Sequence, residues 1–476
     1  MILSQDFLIP SWEVLFFTSI FGYLVSSGIY NLYRAIYSHK SNVRKGDFYI
    51  SWRRNSKALN TANTVDPTQH ARKRRVVNAA LSEQSVRSAE PFIIQHVDRW
   101  CDILLQENGG STWSSPKNMS HLTNYLTLDL MGDLCFGKSF DTKELAENQL
   151  RDIPDTIAAY LRFLYALGQF PFLALWNWLK PLGLDALFNR ASPPAVQRLY
   201  NFIDDNLDER IKLEKSSQKQ LSGPRKDMFH YLYHAQDPET GKSYSQDELF
   251  AESSLVIIAG SDTTAVVLSG FFFYITRNSE IYNKLQQEIR KTFSDIKEIS
   301  GGTKLSSCKY LRACIDEVMR INPPGPSELP RVVLQGGLEV EGQFFPEGTN
   351  IGVPHWSLHH REDIFVDPWK YRPERWIVDD VTGVNADDVF RAQSAFFPFS
   401  SGSANCAGQK LAMAELMIII ARTFYRMDVR AAPGDILGEG GLEMNVGIKN
   451  RDLFQCRDAY IAQRDGPMVQ FKGRGC

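Results

Sequence analysis

The first pattern along the chain is an uncharged, mostly apolar run, Val14–Tyr33, between Glu13 and Arg34. Twenty residues of α-helix rise about 30 Å, which is enough to cross the hydrocarbon core of a bilayer. Acidic side chains precede the run and basic side chains follow it, the reverse of a cleaved signal peptide. We therefore predict a membrane anchor within residues 1–40, with residues 41–476 on the cytosolic side. The alternative is a buried core helix.

The pattern beyond the anchor is mainly helical up to about residue 321 and changes to short strands after it. Asp66–Gln69 combines an N-cap Asp, Pro at the first helical position and Gln two positions later, a strong helix start. Ser245–Glu248 is a capping box that opens a long helix reaching about Arg277. Four short strands separated by turns are predicted further on. They are Val332–Leu334, Leu338–Val340, Gln343–Phe345 and Asn350–Val353. The sequence thus predicts a mainly α fold with a small β portion.

The long helix that begins near residue 246 is apolar almost all round, so it must be buried. Its middle nevertheless carries Gly260, Asp262, Thr263 and Thr264. Glycine costs about 1 kcal/mol relative to alanine there, and a buried carboxylate costs more unless it is paired or hydrated. Such residues are tolerated where a helix opens locally and polar groups face a cavity, and that site could carry protons. A structural Asp with satisfied hydrogen bonds is the alternative.

A glycine-containing loop, Phe399–Gly408, precedes the last long helical pattern of the chain. Cys406 lies in this loop, directly before apolar residues that recur three and four positions apart. The thiol is therefore predicted at a helix N-terminus, where free amides and the helix dipole favour a thiolate. A thiolate held in this way suits axial ligation of a haem iron. An ordinary buried cysteine is the alternative.

Composition and charge restrict the classes of function. The chain has 476 residues, of which 43% are hydrophobic, and a net charge of −2, so it can bury a large core. Residues 34–75 hold eleven Lys and Arg against two Asp, which leaves a net charge of −11 on the rest. A basic block after an apolar segment fits a membrane surface better than nucleic acid. Seven cysteines without a CxxC pair indicate neither a disulfide framework nor a cysteine zinc site, and they favour a reducing compartment.

Three further segments allow more than one interpretation. His70 and Arg74 are four residues apart and share one face of the helix after Asp66. This helix is either solvated or lipid-facing, or it binds the propionates of a haem. Residues 170–184 are too short and too interrupted by proline to span a bilayer, and they form core, an interfacial segment or the roof of an apolar pocket. The segment Glu214–Asp227 is predicted to be a polar loop.

Four short segments occur in one order along the chain: AGSDTT at 259–264, EVMR at 317–320, YRPERW at 371–376 and FSSGSANCAG at 399–408. Together they resemble the marks of the cytochrome P450 superfamily, A-G-x-D/E-T-T, E-x-x-R, P-E-R-F/W and F-x-x-G-x-R-x-C-x-G. The resemblance covers nearly all of the chain from residue 66 onwards. The C-terminal half is most similar to membrane-bound monooxygenases of fungal secondary metabolism. The resemblance implies the cytochrome P450 fold behind a single N-terminal transmembrane helix, with residues 41–476 as the catalytic domain.

The resemblance also implies a role for each matching residue. Cys406 would be the proximal thiolate ligand of the haem iron, with Phe399 packed beside it. Asp262 and Thr263 would deliver protons to the bound dioxygen. The other implied haem-site residues are His70, Arg74 and Arg331 at the propionates, Ala259 and Gly260 beside the oxygen, and Gly402 and Gly408 in the loop. The residues implied to form a buried network supporting the proximal side are Glu317, Arg320 and Arg375.

The chain departs from the family pattern at two places. Ala404 occupies the position where the family usually carries an arginine for a propionate. Another residue must then supply that charge, and the candidates are His70, Arg74 and Arg331. Only residues 41–69 separate the anchor region from His70, where relatives carry a proline-rich hinge, the first strands and two helices. We therefore expect a shortened early β-sheet.

The implied function is that of a haem-thiolate monooxygenase of the endoplasmic reticulum membrane that faces the cytosol. It would take NADPH-derived electrons through NADPH-cytochrome P450 reductase, with cytochrome b5 as a further candidate donor, and would hydroxylate or epoxidise a lipophilic small molecule with O2. The reductase would dock on basic residues that include Lys73, Arg75 and Lys410. No nucleic acid partner is expected. One alternative is a reductase-independent isomerase or peroxygenase, which the Asp262–Thr263 pair opposes. The other is an inactive, truncated membrane protein, which the short connector favours.

Overall fold

The computed structural model describes residues 29–55, 57–170, 172, 175, 178, 193–217, 225–441 and 447–475. Helices dominate this part of the chain, as predicted. The first, α1, covers residues 29–37. The others are α2 (Pro67–Ala80), α3 (Glu83–Leu105), α4 (Met119–Phe136), α5 (Ile153–Gly168), α6 (Pro194–Ser217), α7 (Met228–His234), α8 (Gln246–Arg277), α9 (Ser279–Thr292), α10 (Thr303–Ser306), α11 (Lys309–Ile321), α12 (His355–His359), α13 (Ala386–Ser394) and α14 (Gln409–Arg426).

The strands in the described ranges form four small antiparallel sheets. They are β1 (Val43–Lys45), β2 (Lys117–Asn118), β3 (Arg331–Val333), β4 (Leu338–Val340), β5 (Gln343–Phe345), β6 (Asn350–Ile351), β7 (Met427–Ala431), β8 (Cys456–Arg457), β9 (Gln463–Arg464) and β10 (Met468–Gly473). The strand orders are β1-β3-β6, β2-β10-β7, β4-β5 and β8-β9. Lys45 of β1 lies opposite Arg331 of β3. Directly opposite residues share a face of the sheet, so these two basic side chains point to the same side.

Helix α8 is the central element of the fold. It begins behind the predicted capping box, in which Ser245 and Glu248 exchange hydrogen bonds, and it ends at Arg277. It packs along α4 and also contacts α11 and α14. Among the described helices it alone is long and apolar enough to cross a membrane, but 61% of its most apolar window is buried inside the protein. Its apolar sequence therefore reflects a core helix, as predicted from the absence of a polar face.

Local sequence signals set most of the other boundaries. The carboxylate of Asp66 accepts a hydrogen bond from the backbone N–H of Gln69 at 2.7 Å, so α2 starts where its N-cap predicts. The bounds of β4 and β5 agree with the predicted hairpin. The prediction of a loop starting at Glu214 was wrong, because α6 continues to Ser217. Glu214 is fully buried in this helix, where partners from α6 and α7 bind its carboxylate.

The described end of the predicted membrane span packs on protein. Residues 1–28 lie outside the described ranges. In α1, however, Tyr33, Ile36 and Tyr37 are buried and form an apolar cluster with residues of β3, β6 and α12. The ring of Tyr33 also stacks on Phe397, with 4.5 Å between the ring centroids. The last turn of the predicted span is therefore part of the protein core.

The early β segment is short, in line with the expectation from the connector length. Between α1 and α2, β1 is the only strand among the residues described there, and a 3₁₀ helix, Asp47–Trp52, follows it. The predicted pocket roof at residues 170–184 falls almost entirely outside the described residues. Around these elements, the large core of α3, α4, α8, α11 and α14 fixes the frame in which the site is built.

Candidate functional site

A cavity with a water-accessible volume of about 370 Å³ lies between the middle of α8 and the loop that precedes α14. The loop side is lined by Phe399, Cys406 and Gly408. All residues predicted for the site line this one cavity, with the exception of Asp262 and Gly402. Sequence positions more than 300 residues apart are thus brought together, and the cavity combines a thiol, a polar stretch of helix and a cluster of basic groups.

Cys406 lies at the turn from the loop into α14. Its backbone N–H donates to the carbonyl of Phe399 at 2.8 Å, and its exposed surface faces the cavity. Burial among the surrounding residues raises the pKa of the thiol, whereas the amide N–H groups of Gly408 and Gln409 and the charge of Arg74 lower it. The predicted lowering of the thiol pKa by the helix N-terminus is therefore present, but it is smaller than the rise caused by burial. A metal cation at the sulfur would tip the balance to the thiolate.

The opposite wall of the cavity comes from the polar segment of α8. Ala259, Gly260, Thr263 and Thr264 line it. The hydroxyl of Thr263 donates to the carbonyl of Ala259 at 2.6 Å, and the hydroxyl of Thr264 donates to Glu415 at 3.3 Å. Burial raises the pKa of Glu415 to about 8. The polar residues that are unusual for a buried helix thus mostly face a cavity, as the sequence predicted.

Asp262 lies beside this wall and does not line the cavity. Its Oδ1 atom pairs with Nη1 of Arg464 in β9 at 2.8 Å, and 13% of its side chain is exposed. Arg464 also donates to Asn124 at 2.6 Å and to Ser269 at 3.3 Å. The geometry of this ion pair matches the alternative in which Asp262 is a structural residue with satisfied hydrogen bonds. Asp262 is nevertheless adjacent in sequence to Thr263, which lines the cavity.

One end of the cavity is basic. The predicted residues His70, Arg74 and Arg331 all line it. Arg74 donates to both the carbonyl and the side-chain oxygen of Asn405, the latter at 2.6 Å, and so ties α2 to the loop directly before the cysteine. The Nε2 atom of His70 is buried and has no hydrogen-bond partner in the part of the chain that the structure describes. Burial and the neighbouring charges of Lys45, Arg74 and Arg331 lower the pKa of His70 to about 3, so its imidazole is neutral.

Lys45 is a cavity residue that sequence reasoning missed. It sits in β1, and its Nζ atom donates to the carbonyls of Thr61 and Ala62, the latter at 3.1 Å. Burial and the charge of Arg331 lower its pKa to about 7, against a smaller opposite effect of Glu252. The only sequence signal for Lys45 was its place in the basic block of residues 34–75, which indicated a membrane surface. Only the pairing of β1 with β3 shows that this lysine turns inward.

Gly402 has a different neighbour from the one the resemblance implied. Its φ is +74°, and an added Cβ would lie 2.2 Å from the carbonyl oxygen of Tyr37. Because L side chains rarely adopt this φ and the space is filled by backbone, the position requires glycine. The hydroxyl of Ser401 also donates to the Tyr37 carbonyl, at 3.1 Å. The loop is therefore packed against the end of α1.

A buried ionic network lies behind the loop. Glu317 of α11 is fully buried and binds Arg320 at 2.9 and 3.0 Å, Arg375 at 2.9 and 3.0 Å and the indole N–H of Trp376 at 3.0 Å. Burial alone would raise the pKa of Glu317, but the two guanidinium groups hold it below the usual range. Arg320 also donates to the carbonyl of His359 at 2.9 Å. Glu317 lies off the apolar stripe of α11, so its burial was recognisable only from the resemblance.

The network reaches the cysteine loop through one histidine. The Nε2 atom of His359 accepts a hydrogen bond from the backbone N–H of Phe397 at 3.2 Å. Phe397 lies two residues before Phe399, whose carbonyl binds the Cys406 amide. Hydrogen bonds through His359, together with the backbone from Phe397 to Phe399, therefore connect the buried ions of α11 with the loop that holds the thiol.

The residues around the cavity fit a haem. A thiol at a helix N-terminus lies on one wall, and small and hydroxyl residues form the other. The basic end offers Arg74, Arg331 and Lys45 together with the unpartnered nitrogen of His70. Buried nitrogens are rarely left without a partner, and cationic donors bind carboxylates strongly. The two carboxylates of a porphyrin are chemically suited to this end.

The prediction that Lys73 belongs to the reductase-docking surface was wrong. Lys73 is 1% exposed and its Nζ atom binds Glu248 of the α8 capping box at 2.6 Å, so it cannot reach a docking partner. Arg75 is 30% exposed and pairs with Asp237 at 2.8 Å. Lys410, by contrast, is exposed at the start of α14. The sequence shows only that Lys73 belongs to a basic run of α2. It does not show that Lys73 is buried while the other basic side chains of this run are partly exposed.

Comparison with known proteins agrees with this site. A family model described as Cytochrome P450 matches residues 23–438. A cytochrome P450 monooxygenase of Fusarium equiseti is 34% identical over 93% of this chain and 82% of its own length. One from Penicillium oxalicum is 33% identical over 92% of this chain and 78% of its own length. Another from Gibberella zeae is 34% identical, over 92% of this chain and 97% of that protein.

Proposed function

Because the chain belongs to the cytochrome P450 family, we propose that it is a haem-thiolate monooxygenase that hydroxylates or epoxidises a lipophilic small molecule of fungal secondary metabolism. One observation carries this proposal. Cys406 opens onto a cavity whose opposite wall is the polar segment of α8 and whose end is basic. A thiol alone would be compatible with many functions, whereas this combination suits one cofactor.

The cofactor and the chain divide the chemistry between them. Haem, when bound, supplies the activation of O2 in this family of reactions. Cys406 would ligate its iron. The carboxylates of the porphyrin would be held by Arg74, Arg331, Lys45 and His70. Because the thiol pKa is raised by burial in the protein alone, the iron charge itself is needed to keep Cys406 ionised.

The distal residues of α8 would move protons into the cavity. Asp262 has 13% of its side chain exposed and is held by Arg464 through Oδ1, and it would relay protons from the solvent side. The next residue, Thr263, lines the cavity and its hydroxyl can pass a proton onwards. In this proposal Arg464 positions the carboxylate between turnovers, and rotation of Asp262 towards Thr263 completes the relay.

The remaining cavity wall favours a lipophilic substrate. The apolar residues in this wall include Val77, Leu81, Leu161, Met228, Val256 and Ile461. Mostly apolar cavities with a few polar groups bind hydrophobic small molecules and fix their orientation. Electrons would come from NADPH through a cytochrome P450 reductase, with cytochrome b5 as a second candidate donor. The reductase would dock near Lys410, and an N-terminal membrane anchor would hold the protein at the endoplasmic reticulum.

The proposed function is tested by measuring turnover with two different oxidant systems. The purified full chain, loaded with haem, is incubated with a panel of lipophilic metabolites and either NADPH with reductase or hydrogen peroxide alone. We expect oxygenated products only with NADPH and reductase, with one oxygen atom derived from ¹⁸O2. Products formed equally well with peroxide, or isomers without added oxygen, would contradict the monooxygenase proposal.

Lys45 provides a test of the haem-binding part of this proposal. Replacement of Lys45 by methionine removes one cation that lines the cavity while keeping most of the side-chain volume. A hydrogen bond to a charged group contributes about 1.5–3 kcal/mol, so haem affinity should fall roughly 10- to 100-fold. Transfer of haem to a haem-scavenging apo-globin measures this loss. The exposed residue Lys57 gives the matched control, Lys57→Met, which should release haem at the wild-type rate. Equal release from both variants would show that Lys45 does not hold the cofactor.

A further inference from the structure

Helices α6 and α7 carry a cluster of metal-ligand side chains that lies outside the haem cavity. Glu214 of α6 faces His230 and His234 of α7, and one potential ligand atom from each residue lies within 4.8 Å of the others. The two histidines are four residues apart, so they share one face of α7. Their rings lie with centroids 4.7 Å apart. The arrangement differs from a loose surface group, because Glu214 is fully buried and His230 is 16% exposed.

Both imidazoles point at the same carboxylate oxygen. Nδ1 of His230 lies 2.6 Å and Nε2 of His234 lies 3.0 Å from Oε1 of Glu214. Ligand atoms of a tetrahedral zinc site are roughly 3.3 Å apart, as follows from metal–ligand distances of about 2.0–2.1 Å. Each histidine nitrogen therefore needs to move away from Oε1 by less than about 1 Å to hold a metal, and the two nitrogens already lie within 4.8 Å of each other. His234 is 39% exposed, which leaves an entry path from solvent.

The other carboxylate oxygen is already occupied by a supporting group. Nη1 of Arg210 donates to Oε2 of Glu214 at 2.8 Å. Nη2 of Arg210 donates to both oxygens of Asp227, at 2.9 and 3.0 Å. Asp227 in turn caps α7 by accepting the backbone N–H of His230 at 2.9 Å. Outer partners of this kind orient the ligands of protein metal sites, and here they leave Oε1 directed at the histidines.

We propose that Glu214, His230 and His234 form a binding site for a divalent transition cation, with Zn²⁺ as the best match. Two neutral imidazoles and one carboxylate are a ligand set typical of zinc sites with a water as fourth ligand. On binding, the protons shared in the two His–Glu hydrogen bonds move to solvent or to the other ring nitrogens, and both imidazoles coordinate as neutral ligands. The metal cross-links α6 to α7. Because α7 begins at Met228, which lines the haem cavity, the metal also steadies one wall of that cavity.

The site is tested with the tag-free, haem-loaded full chain after treatment with a chelator. Zn²⁺ is added, excess metal is removed by desalting, and bound zinc is measured by elemental analysis together with the thermal unfolding midpoint. We expect one equivalent of Zn²⁺ per chain and a rise of the unfolding midpoint. His230→Gln and His234→Gln should each lose the bound equivalent and the rise.

The controls separate this site from other metal binding and from misfolding. His121 is 57% exposed and lies outside the cluster, so His121→Gln should bind zinc like the wild type. The carbon monoxide difference spectrum reports whether each variant is folded and haem-loaded, and the exposed His234 gives the variant that disturbs folding least. Absence of zinc from the wild-type protein would overturn the proposal. Retention of a full equivalent by a folded His234→Gln variant would overturn it as well.

Discussion

Replacement of Cys406 by serine is expected to abolish the carbon monoxide difference band of thiolate-ligated haem and all NADPH-dependent oxygenation. A serine hydroxyl remains protonated where a metal-bound thiol ionises, so it cannot replace the thiolate ligand. The substitution changes one atom and leaves the hydrogen bond from the Cys406 backbone to Phe399 in place. The loss therefore reports ligation rather than loop collapse. The measurement is the difference spectrum of the reduced protein, with total haem determined separately.

A second cysteine gives the matched control for this experiment. Cys456 lies in β8, where its sulfur accepts a hydrogen bond from Asn322 at 3.5 Å, and it does not line the cavity. Cys456→Ser should retain the thiolate-type band at the wild-type position. If the Cys406→Ser protein kept that band, the ligand would be another residue.

Replacement of Glu317 by glutamine is expected to give the largest loss of stability. The substitution removes the negative charge that pairs with both Arg320 and Arg375, and these buried guanidinium groups form no other ion pair within the described ranges. Breaking a buried ion pair by removing one partner costs about 3–5 kcal/mol. The free energy of unfolding, measured by denaturant titration of the haem-loaded protein, should fall by this amount. Because His359 links Arg320 to the cysteine loop, haem retention should fall with it.

The pH dependence gives an independent check on Glu317. Its folded-state pKa is lowered, so the stability it contributes is fully present above the ordinary glutamate pKa of about 4.3 and is lost as the pH falls through the lower folded value. The difference in unfolding free energy between wild type and Glu317→Gln should therefore be constant at neutral pH and shrink in acid. The exposed residue Glu280 is the control, and Glu280→Gln should change stability by less than about 0.5 kcal/mol. An equal effect of both substitutions would remove the special role of the buried network.

Local signals in the sequence were sufficient for much of the fold. The caps at Asp66 and Ser245 specified the starts of α2 and α8, because a side chain that binds the first free N–H groups acts within four residues. The glycine turns likewise marked the hairpin of β4 and β5. Glu214 went wrong for the opposite reason. Its charge suggests a loop, and its burial depends on partners that the local pattern does not reveal, among them His230 and His234 of α7.

Site residues that belong to family motifs were predictable from the sequence. Residues that reach the cavity only through the pairing of strands were missed. Cys406 and Thr263 were recognised from motifs, Arg74 was recognised from its helix face and the resemblance, and all three line one cavity. Lys45 carries no motif, and its inward position depends on the pairing of β1 with β3. The partner of Asp262, Arg464, lies about 200 residues away in β9. Sequence periodicity reports only which face of an element is apolar, so contacts between distant elements remain invisible to it.

The contact between α1 and the cysteine loop has a practical consequence for making a soluble form of this protein. A form that lacks the predicted anchor would be made by removing residues from the N-terminus, and the apolar run extends up to Tyr33. Cutting after residue 37 would take away Tyr33 and the carbonyl of Tyr37, against which Ser401 and Gly402 rest. The exposed apolar cluster of β3, β6 and α12 would then favour aggregation. A shortened form that keeps α1 from residue 29 onwards preserves the contacts between Tyr37 and the cysteine loop.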